Sequence, residues 1–179
     1  NAYKSLVEAD GAQTPFPSNH FASGLSNSVL EHIPHIDAVL KETARVLKPG
    51  APFYFCVPNA NHFQELSLRK IFGKPYEMWF RKIQRVRHSD HPDVWEERLE
   101  RAGFKLERWW HYFSPDALRV LEWGHYFGLP SLVAKALTGN WIISPTKWNL
   151  FLTENYIRKY ASTAPIENGT YTFYIARKK

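Results

Sequence analysis

A chain of 179 residues, 44% of them hydrophobic, has the size of one globular domain (residues 1–179), and no apolar run in it is long enough to cross a bilayer. Its single cysteine, Cys56, excludes an intramolecular disulfide and any cysteine-clustered zinc site, and reads as a small buried hydrophobe on a strand. A net charge of +6 without base-reading signatures does not argue for a nucleic-acid partner, and the absence of an export-type start makes a cytoplasmic location the expectation.

Taken in chain order, Asp10-Gly11 alone reads as a turn whose aspartate bonds its own backbone. Phe21, Gly24 and Leu25 lead into Ser26-Asn27-Ser28, a small polar corner after a short apolar run. In open α/β sheets ligands sit at the carboxyl ends of strands, so this corner is a candidate pocket wall. Ile36, Val39, Leu40, Thr43, Val46 and Leu47 recur at helical spacing, with Asp37 placed to cap the start and Lys48-Pro49-Gly50 to end it. Phe53 to Val57 is an uninterrupted apolar run of strand length, suited to a strand buried on both faces and stopped by Pro58-Asn59.

Asn61 to Phe72 and Tyr76 to Val86 read as two helical segments broken by Gly73-Lys74-Pro75, within a basic helical stretch over residues 60–92. Trp79, Ile83 and Val86 share one face, and Arg81, Lys82 and Arg85 lie mostly away from it. Such a stretch suits either a solvated helix face or contact with an anionic membrane, an acidic carrier or a phosphate-bearing substrate. His88-Ser89-Asp90-His91 precedes Pro92 as a loop and helix cap would, and no metal is expected there. Pro92 to Ala102 is a helix stopped at Gly103, followed by an outer strand from Phe104.

Ser114-Pro115-Asp116 opens another helix, which Gly128-Leu129-Pro130 ends, and Ser144-Pro145 repeats the start signal before Trp148, Phe151, Leu152 and Ile157. Residues 109–165 form an aromatic-rich helical insertion. It reads either as core packing or as a lid over a flat, apolar acceptor. Asn168-Gly169 reads as a tight turn before a closing strand on which Tyr171, Phe173 and Ile175 alternate.

The run PFPSNHFASGLSNSVLEHI with its later LKPG resembles the middle of a class I S-adenosylmethionine-dependent methyltransferase of the broad small-molecule type, closely over residues 6–59 and more loosely from Trp95 to Trp110 and in the final strand. The resemblance implies an α/β fold: a partial Rossmann-like methyltransferase sheet, third strand onward, with its last strand antiparallel and helices on its faces. It implies S-adenosylmethionine as cofactor and a small-molecule acceptor. Ser5 to Ala9 would be the third strand. Asp10 would accept a hydrogen bond from the adenine amino group, the amides of Gly11 and Ala12 would meet the ring nitrogens, and Ser26, Asn27 and Ser28 would form the far rim of the cleft.

Glu31 and His32 lie where relatives place groups near the transferred methyl. There a histidine base would take the acceptor's proton, the alternative being packing and capping. Some quinone-pathway relatives bind a divalent ion through Glu-x-x-Glu-His, but Ser28 stands at the first glutamate position, so no metal is expected. The family's glycine-rich turn and ribose-binding acid do not occur in the sequence. The expectation is therefore the carboxyl-terminal part of a longer enzyme, weak or inactive alone. Its fourth strand, around Ala22 to Leu25, would either form a homodimer through an open edge or be covered by Ser5 to Ala9. The competing reading is a non-catalytic relative that docks on a partner or an anionic membrane.

Overall fold

The computed structural model describes residues 5–127, 129–141, 154–162 and 164–179. Its four-stranded sheet has the order β1-β2-β4-β3, built from β1 (Gly24–Asn27), β2 (Pro52–Pro58), β3 (Phe104–Tyr112) and β4 (Tyr171–Lys178). β1 and β2 are parallel, with Gly24 opposite Phe53 and Asn27 opposite Cys56. β4 runs against both of its neighbours. Lys178 exchanges backbone bonds with Gly50 and Ala51 at the start of β2, while Thr172 meets Asn59 just past its end. On the other side Lys179 bonds Gly103 and Trp110 stacks on Phe173. The closing strand is thus inserted antiparallel between two others, as the resemblance implied.

The chain divides into two compact units. The first comprises Asn1–Asn59, Arg85–Trp110 and Thr172–Lys179. Its core is one sheet face, Phe53, Phe55, Val57, Phe104, Tyr174 and Ala176, packed against helices α1 (Ile36–Val46) and α4 (Pro92–Ala102). Ile36, Leu40 and Ala44 line one stripe of α1, and Trp95 and Leu99 one stripe of α4. Phe55 sits at the centre, stacked 4.6 Å from Tyr174 and 5.3 Å from Trp95. Gly50 (φ 76°) and Gly103 (φ 94°) take the left-handed conformation that ends each helix-to-strand connection, which glycine adopts without a Cβ penalty.

The second unit comprises Ala60–Gln84 and His111–Tyr171. It holds α2 (Asn61–Gln64), α3 (Arg69–Gln84), α5 (Pro115–Phe127) and α6 (Leu129–Thr138). The side-chain oxygen of Ser114 accepts the Ala117 amide at 3.1 Å, so the serine start signal of α5 operates as expected. The Asn168-Gly169 turn closes with the Gly169 amide on the Ile166 carbonyl. A Cβ on Gly169 would lie 2.5 Å from the Tyr112 carbonyl oxygen, so close backbone approach explains the glycine.

Several expectations are corrected. Ser5 to Ala9 is not a strand: it carries no ladder bonds, Leu6 is 83% exposed, and it does not cover β1, whose outer edge is open among the described residues. Strand conformation is held by cross-strand bonds, and this segment has no neighbour to supply them. His35, not Asp37, is the N-cap of α1, without a side-chain bond, and Asp37 lies in the first turn. In the basic stretch the break expected at Gly73 is present (φ 65°, non-helical backbone), but the segment before it is not one helix: a single turn, Asn61–Gln64, is followed by a new start at Arg69. α3 buries Tyr76 and Phe80, so Trp79 and Ile83 face solvent, and Arg85 (φ 56°) breaks away before Val86.

On β4 the fully buried side chains are Thr172, Tyr174 and Ala176, with Tyr171, Phe173 and Ile175 half-buried on the opposite face, because an interior strand is covered on both sides. Helix resumes at Leu129 and runs to Thr138, where a stop was expected. The expected start at Ser144-Pro145, with Trp148, Phe151 and Leu152, lies outside the described residues.

Candidate functional site

The polar corner stands at the carboxyl end of β1. Ser26 is half-buried in the strand, and Asn27 ends it with its side-chain oxygen accepting the Cys56 thiol at 2.8 Å. Ser28 turns the chain with φ 52°, its amide on the Cys56 carbonyl at 3.1 Å. A left-handed serine is strained, and such strain gathers where a backbone must make an abrupt corner.

The Asp10 turn is held to the same unit by a polar clasp. Glu42 of α1 accepts the amide and hydroxyl of Thr14 at 2.7 and 2.6 Å, and Arg45 binds Glu42 at 2.7 Å and the Phe16 carbonyl at 2.8 Å. The Arg45 guanidinium, together with Thr14, holds the Glu42 carboxyl down at about 2. Asp10 itself accepts the Ala12 amide on Oδ1 at 2.9 Å, which is the local turn bond, and Gly11 packs its α-carbon beside Val39 of α1. Asp10 and Gly11 are exposed and Ala12 is half-buried.

Glu31 and His32 occupy a single 3-10 turn, Leu30–His32, after the corner. The Glu31 carbonyl accepts the amides of Arg87 and His88, at 2.7 and 3.1 Å, which fixes the turn. Its side chain is 2% exposed, with Oε1 3.8 Å from His32 Nε2 and Oε2 without a partner. His32 is exposed, and its Nδ1 lies 3.2 Å from the Arg85 carbonyl. A carbonyl can only accept, so Nδ1 carries the proton and the neutral ring presents Nε2 as its basic nitrogen. Burial holds the Glu31 carboxyl above its ordinary range, against the pull of its own backbone amide and of His32.

That shift has a thermodynamic signature. The folded chain binds the Glu31 proton more tightly than the unfolded chain, so its contribution is whole below pH 4.5 and is lost as pH rises through the folded value. Glu31→Gln is expected to gain stability relative to the parent as pH rises above 4.5. Urea unfolding of both proteins across that range reads it, and parallel curves would rule it out.

The second unit holds an open cavity of about 700 Å³, lined by Phe113, Val120, Leu121, Ile157, Tyr160 and further small residues, with His125 among them. It is mostly apolar. Sequence reasoning missed two buried polar centres in this unit. Glu122 is fully buried among partners distant in the chain, so no local signal marks it. His62, just past the carboxyl end of β2, is fully buried with Nδ1 unpartnered. In the first unit His88 bonds the Ile33 carbonyl and Asp90 pairs with Arg98 at 2.6 Å, so this loop's polar groups are tied into the fold.

Residues 1–55 match the family described as "Methyltransferase domain". Over 82 residues the chain is 38% identical to the ubiquinone/menaquinone biosynthesis C-methyltransferase UbiE of Brucella canis, a match covering 45% of this chain and 28% of that relative. The Brucella anthropi protein of the same name is 36% identical over 82 residues, and the match covers 29% of it. The chain thus spans less than a third of the curated relatives it matches.

Among solved structures the cyclase SpnF superposes with a TM-score of 0.54 at 17% identity, covering 95% of this chain and 54% of that one. Phosphoethanolamine N-methyltransferase 2 of Haemonchus contortus, solved with S-adenosyl-L-methionine, gives a TM-score of 0.54 at 19% identity, covering 94% and 36%. At such identities the likeness is one of fold.

Proposed function

We propose that this chain, which has the fold of the class I S-adenosylmethionine-dependent methyltransferases, serves methyl transfer to a small hydrophobic or aromatic acceptor. The observation that carries the reading is the buried Glu31 carboxyl beside the Nε2 of His32, directly after a polar corner at a strand's carboxyl end and inside the segment that matches the methyltransferase domain. S-adenosylmethionine, when bound, supplies an electrophilic methyl on a positively charged sulfur.

The chain's own groups do the rest. Asp10 uses its free Oδ2 to accept the adenine amino group, the Gly11 amide meets the ring, and Ala12 joins by giving up its bond to Asp10. Ser26, Asn27 and Ser28 wall the cleft. His32 Nε2 takes the proton that an oxygen, nitrogen or activated carbon acceptor sheds on attack, and the neighbouring Glu31 carboxylate stabilises the imidazolium. The mostly apolar cavity within the second unit would suit a flat apolar ligand on its own account. The open edge of β1 is free to accept a further strand, from a second copy or from polypeptide outside the described residues.

Calorimetric titration with S-adenosylhomocysteine, on this chain and on any longer polypeptide that contains it, tests the reading. Asp10→Ala is expected to weaken binding by about 10-fold or more, as loss of a charged hydrogen bond does. His32→Ala is expected to leave that affinity intact and slow methyl transfer about 10²-fold. Absence of binding in every form would replace the enzyme with a non-catalytic docking module.

A further inference from the structure

The second unit carries a surface that neither its core nor its cavity uses. α3 buries only Tyr76 and Phe80, leaving Ile71 (72% exposed), Phe72 and Met78 (71%) in solvent with Trp79 and Ile83 half-exposed. Scattered single apolar residues on a surface need no explanation, but this concentration within the sixteen residues of α3, on both sides of the Gly73 bend, does. The aromatic part continues onto α5, where Tyr126 lies 6.3 Å from Trp79 and 5.7 Å from Trp123, itself 38% exposed.

Charge accompanies the apolar residues. Lys70, Lys74 and Lys82 are exposed and have no ion-pair partner among the described residues. The acid of this helix, Glu77, is already bound to Arg69 at 2.6 Å. Lys82 lies one turn after Met78 and immediately before Ile83, so positive charge is interleaved with the apolar surface rather than segregated from it.

We propose that the exposed apolar and basic residues of α3, on both sides of its bend at Gly73, dock on an anionic lipid bilayer. Phe72, Met78, Trp79 and Ile83 would insert at the boundary of headgroups and acyl chains, where a tryptophan ring is favoured, and the three lysines would meet lipid phosphates. A second copy of the chain is a poorer occupant. A two-fold contact sets the same patch against itself, which would bring the unpaired lysines of both copies together. No helix among the described residues is long and apolar enough to cross a membrane, so the contact is peripheral. It does not depend on methyl transfer.

Co-sedimentation with vesicles of phosphatidylcholine, alone or mixed with phosphatidylserine, tests it. Binding is expected only to the anionic vesicles and to fade as salt screens the lysines. Exchanging Lys70, Lys74 and Lys82 together for Glu is expected to lower the partition coefficient about 10²-fold or more, since each lysine near an anionic surface is worth roughly five-fold. Phe72→Ser with Met78→Ser is expected to weaken binding at every salt concentration while far-UV circular dichroism stays unchanged. Equal binding to both vesicle types, or none, would overturn the proposal. So would sedimentation velocity showing a dimer that both sets of substitutions dissolve.

Discussion

Replacing Glu122 with alanine is expected to destabilise the second unit by about 3–5 kcal/mol, the range for removing one partner of a buried charged network. The carboxylate is fully buried on α5 and accepts the Ser67 amide and hydroxyl at 2.7 and 2.6 Å, the Leu68 amide at 3.1 Å and the Tyr76 hydroxyl at 2.7 Å. Two of these donors are the backbone amides of Ser67 and Leu68, in the connection just before α3. The Tyr76 hydroxyl is shared with Tyr126 at 2.8 Å, and burial together with these bonds pushes the Tyr76 phenol far up.

Alanine takes the acceptor from four donors, of which only the Tyr76 hydroxyl keeps another partner, Tyr126. A fall in melting temperature of roughly 6–20 °C should follow for a chain of this size. Tyr76→Phe removes the hydroxyl's bonds to Glu122 and Tyr126 but leaves the carboxylate its other donors, and is expected to cost about 2 kcal/mol. If the two substitutions cost the same in urea unfolding, the carboxylate is not the centre of the network.

Glu122 also shows where sequence reading stops. Helices α1 and α4, strand β2, the Gly103 that caps α4 and the Pro49-Gly50 turn before β2 were legible because each is set by local periodicity and turn chemistry, and the fold needs only their alternation. Glu122 in Leu121-Glu122-Trp123 looks like a solvated helix charge, since its partners at Ser67 and Leu68 lie more than fifty positions away in the chain. The face that α3 buries failed for a related reason. Trp79 and Ile83 have the right spacing for a core stripe, but Tyr76 and Phe80 have it too, and only the packing of α5 against Tyr76 and Phe80 decides between them.

Ser5 to Ala9 illustrates the limit for strands, whose existence depends on a neighbour rather than on their own residues. At the site, the polar corner and the Glu31-His32 pair could be read from composition and resemblance. The burial of Glu31 and the tautomer of His32 could not, because both are fixed by the backbone of Arg85 to His88, brought in from another part of the chain.

His62 is expected to set the acid limit of the second unit. Its ring is fully buried between Phe63 and Tyr171, at 4.8 and 5.3 Å, with Nε2 3.1 Å from the Gln84 side-chain oxygen and Nδ1 unpartnered. Burial depresses it from 6.5 to about 4; the nearby Arg81 and His125 act in the same direction, and Gln84 and Glu122 only partly oppose them. The unfolded chain therefore binds this proton more readily than the folded one. Stability is whole above pH 6.5 and falls as pH drops toward 4, by about 3 kcal/mol in all.

Sign and window together distinguish His62 from Glu31 and Glu42. Glu42, held down at about 2 by Arg45 and Thr14, loses its contribution only as pH falls below 4.5, and Glu31 acts with the opposite sign above 4.5. His62→Phe keeps a ring of similar shape and still carries Glu31 and Glu42, so its unfolding midpoint in urea should not decline from pH 6.5 to 4.5, whereas the parent loses the His62 contribution over that interval. Two curves that fall in parallel over that interval would mean that His62 reaches water before the fold is lost.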